Sequence, residues 1–173
     1  TLCDERTGMG EFKRATAYLG SMLVADALSR LGKPHTMEQS VMTPNQRFVT
    51  LERLDPRSLE FVLIPRAALV FMPGINDHVP DAHQCFYDMK RDHETLEPIA
   101  LVDKMPQDLT GKEVVACDPM LATGGSAELT ITEAFKRGAE AVHMLAMIPA
   151  PQGVARLLDA FPDRFDITTT LLH

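Results

Sequence analysis

The stretch Asp118–Ser126 places an acid, two hydroxyl side chains and two adjacent glycines close together in the chain. The carboxylate of Asp118 can accept hydrogen bonds from the hydroxyls of a sugar, and the hydroxyls of Thr123 and Ser126 can donate to a phosphate. Gly124 and Gly125 carry no side chain, so an anion can approach their backbone closely. These residue types in this order predict a site for a sugar phosphate.

The elements on either side of this stretch are those that a phosphate site needs. The apolar run Val114–Cys117 is typical of a buried parallel strand, and residues 126–137 have apolar side chains at helical spacing before Gly138. At such a strand-to-helix crossing, the free N–H groups of the first helical turn and the positive end of the helix dipole converge on one point. The alternative is a turn whose glycines serve tight packing only, which leaves the acid and both hydroxyls unexplained.

Two better-known phosphate loops do not match this stretch. A P-loop needs G-x-x-x-x-G-K-[ST], and a dinucleotide fingerprint needs G-x-G-x-x-G. The residues Asp118–Ser126, which read D-P-M-L-A-T-G-G-S, instead resemble the phosphoribosyl pyrophosphate signature of uracil phosphoribosyltransferases. The resemblance extends along the chain to five further segments, Glu11–Lys13, Arg66–Leu69, Arg91–Pro98, Lys104–Pro106 and Pro149–Gly153.

The resemblance implies a fold. It is the α/β fold of the type I phosphoribosyltransferases, with a central, mostly parallel sheet flanked by helices and a flexible arm over the active site. The arm corresponds to Arg91–Pro98, within a segment, residues 89–98, that is dense in charge and turn formers. We expect residues 1–173 to form a single phosphoribosyltransferase domain.

The resemblance also implies a function, which is transfer of ribose 5-phosphate from phosphoribosyl pyrophosphate to uracil, giving UMP and diphosphate, with Mg²⁺ as cofactor. Implied partners are a purine-nucleotide effector, as in some relatives, and further copies of the chain in a homodimer or larger homo-oligomer. Asp118, Arg91 and Arg66 are the implied catalytic residues, and no residue is assigned as a metal ligand. The implied binding residues for phosphoribosyl pyrophosphate are Arg66, Arg91, Lys104, Asp118, Pro119, Met120, Leu121, Ala122, Thr123, Gly124, Gly125 and Ser126.

The chemistry fits these residue types. Displacement at the anomeric carbon passes through an oxocarbenium-like state, so the site must hold the ribose still and stabilise the charge that grows on the departing diphosphate. Guanidinium groups such as those of Arg66 and Arg91 suit phosphate oxygens, although an ordinary solvated surface charge is the alternative for either. His143 lies inside an apolar strand and is interpreted as a satisfied core residue, and His93 falls in the arm, so neither is assigned as a base.

Three departures from the family pattern leave a second hypothesis open. Ala68 and Val70 replace glycines of the diphosphate loop and Pro65 directly precedes Arg66, which predicts altered diphosphate binding. Leu101 and Val102 replace an aromatic pair. The sequence ends at His173, where the family continues into the segment that reads the uracil ring. Either the chain is an enzyme whose tail is not represented, or it is a non-catalytic homologue that binds a nucleotide or phosphoribosyl pyrophosphate as a sensor or partner module.

Composition narrows the class of protein. A chain of 173 residues with 45% hydrophobic content is the size of one domain with a substantial core. A net charge of -7 argues against nucleic-acid binding. The three cysteines lack the spacing of a zinc site or disulfide framework. No run is long enough to cross a membrane and the first residues are too polar for a secretory signal, so we expect a cytoplasmic protein.

The remaining pattern alternates strands and helices, which favours a parallel sheet. A helix is expected at Glu11–Leu31, and helical turns after Pro65 as far as about Asp77. Residues 33–58 are interpreted as a connection with a short strand at Arg47–Leu51. The other expected elements are strands at 61–64, 84–88, 99–102, 141–148 and 165–171, a loop at 149–153 and a helix at 154–161.

Overall fold

The computed structural model describes residues 6–31, 36–91 and 98–170. A long helix comes first and strands and helices then alternate. The elements are α1 (Met9–Arg30), β1 (Thr36–Met42), β2 (Phe48–Leu54), β3 (Leu59–Leu63), α2 (Met72–His78), β4 (His83–Arg91), β5 (Pro98–Asp103), β6 (Glu113–Cys117), α3 (Gly125–Lys136), β7 (Ala141–Ala146), α4 (Pro151–Ala160) and β8 (Phe165–Thr169), with 3-10 turns at Pro56–Ser58 and Ala67–Phe71.

The main sheet has six strands in the order β5-β4-β3-β6-β7-β8. All neighbouring pairs are parallel except β4 and β5, which form an antiparallel hairpin. The chain winds outward in both directions from the central pair β3 and β6. In open α/β sheets, ligands bind beyond the carboxyl ends of the strands where the winding reverses. The topology therefore directs attention to the loops that follow β3 and β6.

Each face of the sheet has its own apolar core. One core joins strand residues such as Val62, Val114 and Met144 to α3 and α4, through residues that include Ile131 and Leu157. The other joins the alternate strand residues to α1 and α2, through residues that include Val24 and Ile75. Because residues of both faces of β3 and β6 are buried, the two strands carry the apolar runs Phe61–Leu63 and Val114–Cys117. The expected α/β fold with a mostly parallel sheet flanked by helices is confirmed.

The interpretation of residues 33–58 as a connection is wrong for much of its length. β1 and β2 pair along their whole length, from Thr36 with Leu54 to Met42 with Phe48, and form a separate two-stranded antiparallel sheet. Every residue of β1 and all but the last of β2 are exposed. Since neither face of this hairpin is buried, its sequence lacks the alternation of apolar and polar residues that predicts a strand.

Two further predicted boundaries need correction. The expected loop at 149–153 ends early, because Pro151 begins α4, a position where its missing N–H costs no helical hydrogen bond. The predicted arm at 89–98 is partly strand, since β4 continues to Arg91 and β5 resumes at Pro98. Residues 92–97, which include His93, lie outside the described residues. The side chain of Arg91 is likewise outside what the structure describes.

Candidate active site

The loops after β3 and β6 leave the sheet side by side. Leu63 pairs with Cys117 in the parallel register, and the amide of Ile64 donates to the carbonyl of Cys117 at 3.0 Å. Arg66 and Asp118 therefore follow adjacent strands at the same edge. Lys104 is held at the same level by β5, because its amide donates to the carbonyl of Phe86, the partner of Leu63 in β4. The sheet thus brings Arg66, Lys104 and Asp118 to one edge.

The stretch between β6 and α3 encloses a small pocket, with a volume of about 120 Å³. We call residues 118–126 the phosphate loop. The lining consists almost entirely of that loop and the first helical turn, namely Asp118, Met120, Ala122, Thr123, Gly124, Gly125, Ser126 and Ala127. Two residues predicted to bind ligand lie behind it. The side chain of Leu121 is buried in the core, and the carbonyl of Pro119 accepts from the amides of Met147 and Ile148.

The amides of the phosphate loop are open. Within the described part of the chain, the backbone N–H groups of residues 122–127 donate to no backbone carbonyl. The first bond of α3 runs from the amide of Glu128 to the carbonyl of Gly124 at 2.8 Å, so these donors precede the helical ladder. The hydroxyls of Thr123 and Ser126 also have no hydrogen-bond partner among the described residues. This row of donors at the start of α3 can receive an anion.

The two loop glycines have different roles. Gly124 caps α3 in the left-handed conformation, with φ of 76°, which residues with a side chain rarely adopt. At Gly125, an added Cβ would find no atom nearer than 3.8 Å, where it would meet Nη1 of Arg156 and Oγ1 of Thr123. Gly124 is therefore required by the turn, whereas Gly125 keeps free a position beside the loop where a side chain would otherwise stand.

The first turn of α4 supports the phosphate loop from below. The amide of Ala150 donates to the carbonyl of Leu121 at 2.7 Å. Gly153 packs directly against the loop, because a Cβ at this position would lie 2.5 Å from the carbonyl oxygen of Ala122. The match at Pro149–Gly153 that the sequence showed thus corresponds to a backbone contact with the phosphate loop.

Asp118 stands at the mouth of the pocket, half-buried at the carboxyl end of β6. Burial raises the pKa of its carboxyl group, and a hydrogen bond from the amide of Met120 at 3.2 Å opposes that rise. A partly desolvated carboxylate with remaining acceptor capacity is suited to the hydroxyls of a bound sugar.

The loop after β3 contains a cis peptide bond between Pro65 and Arg66. The side chain of Arg66 is exposed and has no partner within the described residues. Ala68, which replaces a glycine of the family pattern, is fully buried in the core beneath α1 and α2. Its methyl group points into the protein, so the expected steric effect of Ala68 on diphosphate binding does not arise from that group.

Sequence reasoning missed two charged residues beside the phosphate loop. Arg156 of α4 forms an ion pair with Glu128 of α3 through Nε and Oε2, and its Nη1 lies 3.5 Å from the carbonyl oxygen of Thr123. The one signal in the sequence was that Arg156 follows Gly153 by three residues, which places both on one face of α4. Nothing local indicated that this face meets the loop.

An apolar cavity of about 450 Å³ adjoins the same edge of the sheet. Pro119 and Met120 border it on the side of the phosphate loop, and Met120 also lines the phosphate pocket. The far wall is formed by the start of α1 and the turn after Arg66, with Phe12, Thr16 and Val70 among the lining residues. Val70, the second departure from the family pattern, therefore faces this cavity.

The residues His143, Cys85 and Cys117, which were not assigned to the site, lie outside it. His143 is mostly buried and contacts Glu113 through Nε2 at 3.0 Å, but its Nδ1 lies 4.0 Å from Asp166 and has no hydrogen-bond partner among the residues that the structure describes. Only one ring nitrogen is therefore satisfied. Cys85 and Cys117 are buried free thiols. Among the helices described, none has the length and apolar content needed to cross a membrane.

Comparison with known proteins gives one family. The family model named uracil phosphoribosyltransferase matches residues 1–172. The chain is 35% identical over 160 residues to a uracil phosphoribosyltransferase of Staphylococcus epidermidis, covering 92% of this chain and 75% of that protein. It is also 35% identical to one of Beutenbergia cavernae over 167 residues, which covers 96% of this chain and 77% of the relative.

Solved structures agree. A protein of Aquifex aeolicus superposes with a TM-score of 0.81 at 33% identity, covering 96% of this chain and 77% of its own. A purine phosphoribosyltransferase of Pyrococcus horikoshii superposes with a TM-score of 0.56 at 13% identity, over 95% of this chain and 85% of that one, which shows likeness of fold alone.

Proposed function

This chain belongs to the uracil phosphoribosyltransferase family, and we infer from that premise that it transfers the phosphoribosyl group of phosphoribosyl pyrophosphate to uracil, giving UMP and diphosphate. The observation that carries the inference is the row of open amides at residues 122–127, beside the carboxylate of Asp118. None of the findings favours a non-catalytic homologue. The burial of the Ala68 methyl group removes one of the reasons for considering it.

We propose that the phosphate loop holds the 5-phosphate of the ribose. The open amides, the hydroxyls of Thr123 and Ser126 and the positive end of α3 supply donors and charge of the sign that a phosphate dianion needs. The gap above Gly125 gives the anion access to these donors. Fixing the phosphate at this point also fixes the position of the ribose, which lowers the entropic part of the barrier.

Asp118 is proposed to orient the ribose. Its carboxylate lies at the mouth of the phosphate pocket, where it can accept hydrogen bonds from the hydroxyls of a sugar whose phosphate is held by the loop. In the reaction, the bond from the anomeric carbon to diphosphate breaks as the bond to N1 of uracil forms, and the proton of N1 passes to solvent. A negative carboxylate near the ring stabilises the positive charge that develops there.

The cations at the same edge of the sheet are proposed to face the leaving group. Arg66 is exposed on the loop next to Asp118, and Lys104 is exposed beside it. Arg91 ends β4, beyond that edge, and is assigned here on the family resemblance alone. Guanidinium and ammonium groups stabilise the negative charge that grows on diphosphate as it departs.

Magnesium fits this site as an ion carried by the substrate. Within the described residues, no group of three or more His, Cys, Asp or Glu side chains could hold a metal. Mg²⁺ is commonly bound by substrate phosphates with only one or two protein carboxylates, of which Asp118 is the one lining the pocket. When bound, the ion would neutralise charge on the diphosphate.

Further partners are proposed on the same basis. The apolar side chains that the β1–β2 hairpin exposes, among them Met42 and Phe48, suit contact with a second copy of the chain in a homodimer or larger homo-oligomer. Regulation by a purine nucleotide, which the family resemblance allows, stays a prediction.

The proposed function is tested by measuring diphosphate release from phosphoribosyl pyrophosphate with uracil, cytosine, hypoxanthine and orotate offered in turn. We expect release with uracil only. Binding of phosphoribosyl pyrophosphate without turnover on any of the four bases would overturn the enzyme assignment and support the sensor hypothesis.

A further inference from the structure

The guanidinium group of Arg156 lies along the rim of the phosphate loop. Its Cδ is 3.5 Å from the position that a Cβ of Gly124 would take, and its Nη1 is 3.8 Å from the corresponding position at Gly125. The same point above Gly125 is 3.8 Å from Oγ1 of Thr123. The open space above Gly125 is therefore bordered on one side by a hydroxyl and on the other by a cation.

The hydrogen bonds of Arg156 leave donors for a ligand. Its Nε binds the carboxylate of Glu128, whereas its Nη1 makes only a long contact of 3.5 Å with the carbonyl oxygen of Thr123. A guanidinium group has five N–H donors, so one side can stay on Glu128 while the other turns to an anion. The side chain of Arg156 is 41% exposed, so it is not enclosed by the packing of α4 against α3.

The charges around the phosphate pocket indicate a role for Arg156. Among the described residues, those that line the phosphate pocket include the acid Asp118 and no Lys or Arg. A phosphate dianion placed there would meet amides, hydroxyls and a carboxylate, and Arg156 is the cation that the structure places at the rim. Charge-assisted hydrogen bonds to phosphate are about twice as strong as neutral ones.

We propose that Arg156 is a direct ligand of the 5-phosphate and that Glu128 orients its guanidinium group toward the phosphate loop. The inference rests on the proposed function, because it takes the loop to be the 5-phosphate site. In this role Arg156 binds the phosphate end of the substrate, so its loss weakens binding of the ground state and of the transition state alike. Such uniform binding appears in KM and leaves kcat nearly unchanged.

Substitution of Arg156 and substitution of Glu128 are expected to change the affinity for ribose 5-phosphate in opposite directions. Arg156→Ala removes a charged donor and raises the dissociation constant of ribose 5-phosphate about tenfold, the usual effect of losing one charge-assisted hydrogen bond. Glu128→Gln keeps an oxygen that can accept from Nε but removes a negative charge near the phosphate, and so lowers that constant about threefold. An ion pair that only holds the loop in place would instead weaken binding in both variants.

The test is calorimetric titration of ribose 5-phosphate into the wild-type protein and the Arg156→Ala, Arg156→Lys, Arg156→Gln and Glu128→Gln variants. Lys136→Ala, which removes a positive charge at the far end of α3, is the matched control and is expected to leave affinity within about 1.5-fold of wild type. Arg156→Lys, which keeps the charge without the fork, should fall between wild type and Arg156→Ala. The same variants are assayed for KM toward phosphoribosyl pyrophosphate and for kcat, where Arg156→Ala should raise KM about tenfold and change kcat less than twofold.

Unchanged affinity in a folded Arg156→Ala protein, or equal weakening by Arg156→Ala and Glu128→Gln, would overturn the inference. If the alanine variant does not fold, Arg156→Gln decides the question by the same criterion. Wild-type protein that does not bind ribose 5-phosphate would overturn the proposed phosphate site itself. Tight wild-type binding with an indifferent Arg156 would overturn only the role of this residue.

Discussion

Burial of the ionised Asp118 carboxyl group lowers the stability of the fold, and the same group is proposed to bind the ribose. Burial raises the pKa of its carboxyl group, so the folded protein favours the neutral form more than the unfolded chain does. Ionisation of Asp118 therefore lowers stability as pH rises through its pKa, yet the ionised form is the better acceptor for ribose hydroxyls. Affinity for ribose should fall on acidification at a higher pH than an ordinary aspartate would dictate.

We predict that Asp118→Asn weakens binding of ribose 5-phosphate about tenfold and removes the part of the acid-dependent loss of affinity that comes from this carboxyl group, because the amide cannot titrate. Protonation of the phosphate dianion, whose second pKa is about 6, remains in both proteins. The thermal midpoint without ligand should stay equal or rise. Calorimetric titration from pH 4 to pH 8 with a parallel melting curve measures both effects. Wild-type affinity in the variant would contradict the assignment of Asp118 to the ribose.

Gly125→Val is predicted to fold and to lose the anion site. The structure has room for a Cβ at this position, where the nearest atoms lie at 3.8 Å, but the added methyl groups fill the space that the open amides face. Affinity for ribose 5-phosphate should fall at least 100-fold. Gly10→Val is a matched control, since a Cβ there also meets only an arginine guanidinium at 3.8 Å, and ligand affinity should not change.

At the scale of single residues, the sequence predicted those parts of the site whose functional residues lie close together in the chain. Asp118, Thr123 and Ser126 belong to one loop, so their types and order were sufficient. Arg156 could not be found in this way, because its contact with the loop depends on how α4 packs beneath it.

The junction between α4 and the phosphate loop has no spare space. A Cβ at Gly153 would lie 2.5 Å from the carbonyl oxygen of Ala122 and 3.3 Å from its carbonyl carbon, both backbone atoms. We predict that Gly153→Ala displaces the loop, lowers the free energy of unfolding by about 1–3 kcal/mol and weakens binding of ribose 5-phosphate. Urea unfolding and titration measure the two effects.

Gln152→Ala is the control for that substitution, because Gln152 is exposed in the same helical turn. Its free energy of unfolding should stay within about 0.5 kcal/mol of wild type. If Gly153→Ala behaved as Gln152→Ala does, the close approach of α4 to the loop would be refuted.

Arg137 joins the end of α3 to the segment after β5. Its side chain is 8% exposed and binds Asp103 at 2.7 Å, Glu133 at 2.9 Å and the carbonyl of Met105 at 2.6 Å. The hydrogen bond from Arg137 lowers the pKa of Asp103, so this pairing stabilises the fold above the usual aspartate pKa and is lost as pH falls through the lowered one.

We predict that Arg137→Ala costs about 2–4 kcal/mol of unfolding free energy at pH 7, since it removes a buried guanidinium group together with its bonds to Asp103, Glu133 and the carbonyl of Met105. The cost should shrink on acidification to pH 3, where the carboxylate of Asp103 begins to protonate. Urea unfolding at both pH values is the measurement. Lys136→Ala, which removes an exposed partner of Glu133 at 3.8 Å, should cost less than about 0.5 kcal/mol, and an equal cost for the two variants would contradict the proposal.

The elements that bury an apolar face were predicted to within a few residues. The helix expected at Glu11–Leu31 is α1, Met9–Arg30, and the helix expected from Ser126 is α3, which begins at Gly125. The β1–β2 hairpin was largely missed because its strands pair with each other only and leave both faces exposed. Its register is fixed by hydrogen bonds between the two strands across the turn at 43–47, which single-sequence periodicity does not record.

At the scale of the whole molecule, the hairpin is a feature with apolar side chains that a single copy leaves exposed. Phe48 is 71% exposed, and Met42, its partner in the register, is also largely exposed. We predict that Phe48→Asp raises the dissociation constant of the proposed homo-oligomer at least tenfold, measured by light scattering during size-exclusion chromatography. Leu158→Asp, which changes an exposed leucine on α4, should leave the mass distribution unchanged. A Phe48→Asp protein with the wild-type mass distribution would exclude the hairpin as the contact.

One rule predicts the placement of part of the site. Loops that follow neighbouring parallel strands meet at one edge, so the signature after β6 fixed where Arg66 after β3 must lie. Lys104 follows the antiparallel strand β5 and reaches the same edge only because β4 extends beyond the end of β3. The rule does not predict how far each loop projects from the sheet or which residues pack beneath it, because both depend on contacts between helices on the same face of the sheet.

The packing of Gly153 beneath Ala122 has an evolutionary consequence. Two segments separated by some thirty positions pack backbone against backbone, so a substitution in one affects the other. A lineage that acquires a larger residue at 153 must also change the conformation of residues 121–122 or lose ligand binding. Covariation between these positions among descendants of this chain would then mark which lineages still use the loop.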